Sequence, residues 1–236
     1  MVGKDVSDIS VKVPEDAHDT GKYIPTFSAY LTAIVRDSTG RVIRVHRQRS
    51  HSPTANFMGL FLPLNWYVST GQAFRITNVT GGTYNYQPSL DGTIPGTIPG
   101  ISYPNNKTIY PNYLVMIQVG SGTQSNPYNA YSLASPIANG SGTGQLVYGT
   151  PSVSNTVTVS GSSAYFVIEQ TFSNQTSSTI DITEVGIITH LYFVAAGNQS
   201  PTDFGNTLVW YDTLSSAISV PAGGYLTIAY TFTVNP

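Results

Sequence analysis

The sequence predicts an all-β fold, an antiparallel two-sheet sandwich of the jelly-roll or immunoglobulin-like type. Residues 152–195 alternate apolar and polar side chains, and clusters of glycine, serine and asparagine divide them into short runs. A period of two is typical of half-buried strands, and short polar breaks are typical of hairpins. Similar runs elsewhere bring the expected total to about nine strands with one short helix near 53–62.

Composition favours a subunit that packs against other proteins. Charged residues make up 9% of the chain, against roughly 25% in soluble domains. A surface of hydroxyl and amide groups costs less to bury against a neighbour than a charged one. A monomeric β domain with an uncharged surface is the alternative.

The chain has no cysteine, which excludes disulfides and thiolate metal sites. No apolar run reaches the roughly 18 residues of a membrane helix, so we expect no membrane span. The first nineteen residues are charged and lack the apolar segment of a secretory signal. We therefore expect assembly in the host cytoplasm rather than export.

Residues 1–25 are predicted to form an N-terminal arm. Their charges have mixed sign, large apolar side chains are few, and Pro14 and Pro25 interrupt them. Such a segment either becomes ordered along a neighbouring subunit or remains a plain tail. Residues 26–236 are predicted to form a single domain.

Residues 26–49 are predicted to form a hairpin around the turn Asp37-Ser38-Thr39-Gly40, which has glycine where a positive φ is needed. Alternation along the second strand predicts that Ile43 and Val45 face inward. Arg44, His46 and Gln48 would then face outward.

This hairpin is strongly basic, since five arginines against Asp37 give a net charge of about +4 by count. Such a patch can contact the phosphates of a nucleic acid such as a genome, or it can contact a neighbouring subunit. The alternatives are a solvated strand face and a partner for the acidic arm. The arginines are Arg36, Arg41, Arg44, Arg47 and Arg49.

The predicted helix at 53–62 has Ser52 at its cap, Pro53 in its first turn and Pro63 after its end. It is apolar nearly all round, so we expect it to be buried under the sheet or in a contact between subunits. A strand is predicted over 73–80.

Residues 81–113 are predicted to be a long insertion rich in tyrosine, glycine and proline, with the tandem repeat GTIPGTIPG at 92–100. Tyrosine-rich loops bind sugars and protein surfaces well. The insertion is therefore a candidate loop for a ligand, such as a host glycan, or for a neighbouring subunit. It could instead mark a boundary between two smaller units. Its tyrosines are Tyr84, Tyr86, Tyr103, Tyr110 and Tyr113.

Residues 113–120 are predicted to form a strand, and 152–195 an antiparallel meander. Within the meander, Ile180 and Ile182 face the core, yet so should Val185 and Ile187. The register must therefore slip by one residue near Glu184, which predicts a β-bulge or a strand that changes sheets. Residues 207–236 supply the closing strands.

Motifs for chemistry are few. The four histidines lack metal-ligand spacing, and the glycine-rich loop at 140–145 lacks the Lys-Ser/Thr of a phosphate-binding loop. Glu169 and Glu184, expected at one level on adjacent strands, have the chemistry of a glycosidase pair, but solvated surface acids are the favoured interpretation. We predict no catalytic residue, cofactor or metal.

Four sequons offer possible glycosylation sites. Their asparagines are Asn78, Asn106, Asn139 and Asn174.

Several segments carry a resemblance to known proteins: YSLASPIANGSGTGQLVYG at 131–149, TFSN at 171–174, EVG at 184–186 and DTLSS at 212–216. With them, the chain from about Leu114 to Pro236 resembles a loose group of virion structural proteins of tailed phages and archaeal viruses. DSTGRVIRVHRQRSHS at 37–52, followed by an apolar helix, resembles the entry segment of that group.

The resemblance implies a virion component, as capsid, decoration or appendage protein, and it brings no catalytic residues. The expected partners are copies of the chain itself and other virion proteins. Two alternatives remain open. One is a carbohydrate- or receptor-binding module, and the other is an extracellular filament or surface-layer subunit.

Overall fold

A computed structural model describes residues 26–50, 52–61, 74–86, 115–154, 156–193 and 202–235. It confirms an all-β antiparallel sandwich. The described residues contain one α-helix, α1 (Ala55–Phe61), and twelve strands rather than about nine. The strands are β1 (Thr26–Arg36), β2 (Val42–Ser50), β3 (Phe74–Thr77), β4 (Thr83–Tyr86), β5 (Val115–Gly120), β6 (Val147–Tyr148), β7 (Ser152–Val153), β8 (Thr158–Ser160), β9 (Ser163–Ser173), β10 (Ile180–Phe193), β11 (Thr202–Val220) and β12 (Tyr225–Asn235).

The larger sheet has seven strands in the order β2-β1-β12-β9, and the far side of β9 pairs with the three short strands β6, β7 and β8. The smaller sheet has the order β11-β10-β5, and β3 and β4 form a separate hairpin. All these strand pairs are antiparallel. Because β1 lies between β2 and the final strand β12, both ends of the described chain share one sheet.

The main core lies between the two sheets. Leu31, Ile228 and Tyr230 of the larger sheet and Ile117 and Val185 of the smaller one are among its fully buried members. Apolar side chains alternate along β12, as its sequence predicts.

Gln170 supplies a polar link across this core. Its Oε1 accepts from the Ile117 backbone N–H at 2.7 Å, and its Nε2 donates to the Gly149 carbonyl at 2.9 Å. Its buried amide therefore has partners for both of its ends.

A third layer covers the outer face of the smaller sheet. The connection from 121 to 146 packs there over a second cluster of buried residues, which includes Met116, Leu133, Ile188, Leu208 and Tyr211. The smaller sheet is therefore buried on both faces, which explains why β5 is almost continuously apolar.

The Glu184 side chain, which is fully buried, fixes this layer. Its carboxylate accepts hydrogen bonds from the backbone N–H groups of Gly122 (3.1 Å), Ala134 (2.9 Å) and Ser135 (2.7 Å). The Tyr211 hydroxyl donates a fourth at 3.0 Å. Burial raises the pKa of Tyr211, so the hydroxyl keeps its proton.

Glycine makes room for this arrangement at two positions. A Cβ at Gly122 would approach Glu184 Oε1 to 2.9 Å, and a Cβ at Gly186 would approach the side chains of Leu208 and Leu133 to 2.5 and 3.0 Å. The motifs YSLASP and EVG, which are 50 residues apart in sequence, therefore meet at one buried carboxylate.

The predicted register slip near Glu184 is confirmed. Ile182 pairs with Ile218, whereas Glu184 pairs with Thr213. More residues therefore lie between these two pairs on β11 than on β10, so the bulge belongs mainly to β11. Val185 and Ile187 are buried as expected.

The meander prediction was wrong at its second connection. β9 belongs to the larger sheet and β10 to the smaller one, because the turn after Asn174 crosses between the sheets. Asn174 Nδ2 donates to the carbonyls of Ser178, Val220 and Pro221, which holds this crossing in place. In the first run, Val157 and Val159 are exposed rather than half-buried.

The helix begins later than predicted. Thr54, not Ser52, caps it, since its Oγ1 accepts from the Phe57 N–H at 3.4 Å. The helix is also only partly buried, because Ala55 and Met58 are exposed. The predicted arm, 1–25, lies outside the described residues.

A buried polar chain joins the two sheets. The indole N–H of Trp210 donates to Ser50 Oγ, which donates to Asp212 Oδ2 at 2.5 Å. The Tyr230 hydroxyl donates to the same oxygen at 2.9 Å. Burial, reinforced by the Asp212 charge, raises the pKa of Tyr230 well above its ordinary value of 10.0.

Glu184→Gln should lower the free energy of unfolding by about 2–3 kcal/mol, because the amide presents a donor to backbone N–H groups that need an acceptor. Urea unfolding followed by tryptophan fluorescence measures this. The matched control is Glu169→Gln on the exposed side of β9, expected within about 0.5 kcal/mol of wild type. Equal effects of the two substitutions would contradict the role of the Glu184 carboxylate.

Tyr230→Phe should change how stability depends on pH. Above pH 10 an unfolded tyrosine loses its proton while the buried one keeps it, so the wild-type free energy of unfolding falls as pH rises. The variant should fall less steeply, by at most about 1.4 kcal/mol per pH unit. Urea titrations between about pH 7 and 11 test this, and parallel curves above pH 10 would refute it.

Candidate interaction surface

The two faces of β2 are the reverse of those predicted. Ile43 and Val45 face solvent, with 47% and 62% of their surface exposed. Arg44, His46 and Gln48 lie on the side that faces the other sheet, opposite Val35, Ala33 and Leu31 of β1. The prediction failed because alternation shows which residues share a face, but not which face is covered.

The inward side of β2 holds the bulge of β11. Arg44 donates to the Ala217 carbonyl at 2.7 Å and to Ser216 Oγ at 2.8 Å. Gln48 donates to the Thr213 carbonyl and accepts from the Ser215 N–H, both at 3.0 Å. These bonds satisfy backbone groups that the register slip removes from the strand ladder.

The five arginines of the predicted basic patch therefore separate. Arg44 is committed to β11, and Arg41 forms an ion pair with Asp37 at 3.0 Å. A hydrogen bond from the Thr39 hydroxyl lowers the pKa of Asp37 to about 2, which keeps the carboxylate charged. The hairpin turn is as predicted, with Gly40 at φ 85°.

Arg47 and Arg49 share the outward face of β2 with Val45. The Arg47 guanidinium lies over the Tyr30 ring, 4.8 Å from its centroid. Arg36 ends β1, opposite Val42. The outward surface is thus an aliphatic strip flanked by cations, and contact with a genome remains a prediction.

This strip lies on an edge strand. Among the described residues β2 pairs with β1 alone, and its other edge pairs with no strand. We refer to the outward face of β2, with Ile43, Val45, Arg47 and Arg49, together with this open edge as the β2 edge. An unpaired strand of this kind is a template for pairing with another chain.

An apolar cavity of about 480 Å³ lies between the two sheets at the end where β1 begins. Aromatic rings dominate its lining, and Thr189 is its one polar residue. Such a lining suits an apolar group rather than a sugar or a phosphate. Its aromatic residues are Phe27, Phe57, Phe166, Trp210 and Phe232.

Two tyrosines of the predicted binding loop lie in β4, where Tyr84 pairs with Ile76 and Tyr86 with Phe74. Part of the predicted insertion therefore forms a regular hairpin. Tyr103, Tyr110 and Tyr113 lie outside the described residues, so binding by this loop remains a prediction.

The carboxylate pair does not form. Glu169 is exposed on the larger sheet and Glu184 is buried in the smaller one, so the expectation that they share one level on adjacent strands was wrong. His46 contacts Gln48 Oε1 at 3.0 Å, and His190 contacts Asn206 Oδ1 at 2.9 Å. The described part of the chain contains no cluster of three or more acidic or histidine side chains that could hold a metal.

The sequons differ in accessibility. Asn174 is buried with its Nδ2 fully engaged, so the folded chain has no room for a glycan there. Asn78 Nδ2 donates to the Phe204 carbonyl at 2.9 Å. Asn139 is exposed, and its Oδ1 accepts from the Tyr148 N–H. Asn106 lies outside the described residues.

Comparison of the chain with known protein families, with curated proteins and with solved structures finds no match. The one α-helix of the described ranges is too short to cross a membrane.

Two features of the structure were not predicted from the sequence. The first is that the Arg44 side chain is hydrogen-bonded to β11, a strand more than 170 positions away in sequence. The second is that Glu184 anchors the covering layer. The sequence does contain an indication of this, because Glu184 is the single acidic residue in the apolar run ITEVGII, at the predicted register slip.

Arg44→Met should lower the free energy of unfolding by about 1 kcal/mol, because it removes two hydrogen bonds to the β11 bulge. Arg49→Met is the matched control and should stay within about 0.5 kcal/mol of wild type. Urea unfolding of both variants measures the difference. A larger loss for Arg49→Met would show that the two arginines have been assigned the wrong roles.

Proposed function

We propose that this chain is a virion structural protein, a self-assembling β-sandwich subunit of a viral capsid or of an attached appendage. The observation that carries the proposal is the β2 edge. It combines a backbone edge nine residues long, which pairs with no strand among the described residues, with the exposed aliphatic side chains of Ile43 and Val45, and such an edge is a template for pairing with another chain.

The rest of the surface supports the same proposal. Threonine and serine hold six of the twelve outward positions of β9 and β12, and charged residues make up 9% of the chain. Uncharged polar groups lose less on burial than ions, so contacts between copies can form over wide areas.

The exposed side chains are also distributed in a way that permits open assembly. Val153, Val157 and Val159 are exposed at the edge of the larger sheet opposite β2. The open backbone of the β2 edge and this separate patch of exposed valines are two different contact surfaces on one subunit. Two different surfaces favour head-to-tail contacts, which generate rings when they close and filaments when they do not.

The test is assembly of the purified full chain, followed by size-exclusion chromatography with light scattering and by negative-stain microscopy. We expect concentration-dependent rings, shells or filaments. Val45→Lys should raise the concentration needed for assembly at least about tenfold, because a lysine on an edge strand opposes pairing. Thr143→Lys adds the same charge at an exposed turn away from β2 and should assemble like wild type.

If the chain remains a monomer at every concentration at which it stays in solution, the proposal of a self-assembling structural protein is wrong. The location in a virion has its own test, since gold-labelled antibodies against the chain should decorate particles purified from its source. Particles that remain unlabelled, together with assemblies of the isolated chain, would favour the filament or surface-layer alternative.

A further inference from the structure

The two edges of the larger sheet are protected to different degrees. The edge beside β9 is divided into β6, β7 and β8, of two, two and three residues. Short, interrupted strands are a common protection against unwanted pairing. The β2 strand has no such interruption over its nine residues, so it is the edge best suited to receive an added strand.

A second copy of β2 is a poor partner for this edge. Full antiparallel overlap of two β2 strands would pair Arg47 with Val45 and Arg49 with Ile43 of the other copy, and it would make the two Arg47 side chains diagonal neighbours. Like charges facing each other across strands are destabilising. The charge on this surface calls for an acidic partner with aliphatic side chains.

Residues 1–25 of the chain carry a net negative charge and contain a segment of alternating aliphatic side chains, in which Asp8 and Lys12 balance each other. Residues 8–13 read Asp-Ile-Ser-Val-Lys-Val, in which Ile9, Val11 and Val13 alternate with polar residues. This period of two is that of a strand with one apolar face. Residues 1–25 carry five acidic side chains against three lysines, a net charge of −2 with histidine neutral.

We propose that residues 8–13 of one copy add as a strand to the β2 edge of a neighbouring copy. In antiparallel pairing Ile9, Val11 and Val13 then lie on the face of Ile43 and Val45, and the acidic N-terminal end of the segment, with Asp5 and Asp8, lies toward the end of β2 that carries Arg47 and Arg49. Strand addition of this kind draws its affinity from main-chain hydrogen bonds and its specificity from the alternate side chains. This inference rests on the proposed self-assembly.

The direction of the chain favours a neighbouring copy over the same one. Residues 1–25 lead into β1 at Thr26, near Ser50 at the end of β2, because Ala29 pairs with Ser50. A segment of the same chain that runs along β2 directly toward Thr26 would lie parallel to it, and an antiparallel segment of the same chain would need residues 14–25 to run back along the whole of β2. The strand pairs of the described sheets are antiparallel, and a neighbouring copy can supply its segment in that direction.

The connection between the segment and β1 is long enough to reach a neighbouring copy. Residues 14–25 separate the segment from β1, and twelve extended residues span up to roughly 40 Å. Nine residues of β2 span roughly 30 Å, so the connection can pass from one copy to the edge of the next.

Disulfide trapping tests this sharply, because the chain has no cysteine of its own. Full-length Val11→Cys and Val45→Cys variants are prepared separately, mixed and oxidised mildly, and non-reducing gels report the products. A docked segment holds its thiol at an effective concentration on the order of millimolar. We expect a disulfide-linked pair of copies at a yield about tenfold above that of two control mixtures.

The controls pair Ser10→Cys with Val45→Cys, which tests the other face of the segment, and Val11→Cys with Val159→Cys, which tests the other edge of the sheet. Equal yields in all mixtures would overturn the inference. So would a double variant, Val11→Cys with Val45→Cys, that closes its disulfide within one chain while the mixed single variants form none. If assemblies form but no specific disulfide does, the docking of residues 8–13 is refuted and the proposed function stands. If the chain stays a monomer and forms no disulfide, both are refuted.

Discussion

The register slip between β10 and β11 is the constraint on which the rest of the described structure depends. At the slip, Glu184 turns to the outer face of the smaller sheet, and its carboxylate binds the backbone of the 121–135 segment through three N–H groups. The extra residues of β11 bend toward β2, where Arg44 and Gln48 bind them. One irregularity thus fixes the covering layer on one side of the sheet and the edge strand on the other.

This arrangement explains why β2 combines a fixed position with an open edge. Its inward side chains are polar because they satisfy the backbone of a bulge, a task that aliphatic side chains cannot perform. The aliphatic residues Ile43 and Val45 are therefore left on the outside. The strand is anchored by its side chains to β11 and by its backbone to β1, and its other backbone edge pairs with no strand in the described part of the chain.

Much of the fold was predictable because period-two patterning determines strands locally. The hairpin at 26–49, the strand before Gly120 and the slip at Glu184 all follow from alternation and turn residues. The crossing after Asn174 was not predictable, since a short polar break looks the same whether it closes a hairpin or joins two sheets. The faces of β2 were misassigned for a related reason, because hydrophobicity favoured burial of Ile43 and Val45 while the distant bulge of β11 required polar partners there.

The arginines of the basic hairpin have different roles in the fold from the one that their charge suggests in the sequence. Counted along the sequence it carries about +4, which suggests a surface for phosphates. In the fold one arginine anchors a bulge, one is paired with Asp37 and one lies over Tyr30. What remains outward is an aliphatic strip with cations beside it on an unpaired strand. Main-chain pairing needs that geometry and gains from an acidic partner, whereas phosphate binding gains nothing from Ile43 and Val45. The β2 edge therefore fits a polypeptide better than it fits a nucleic acid.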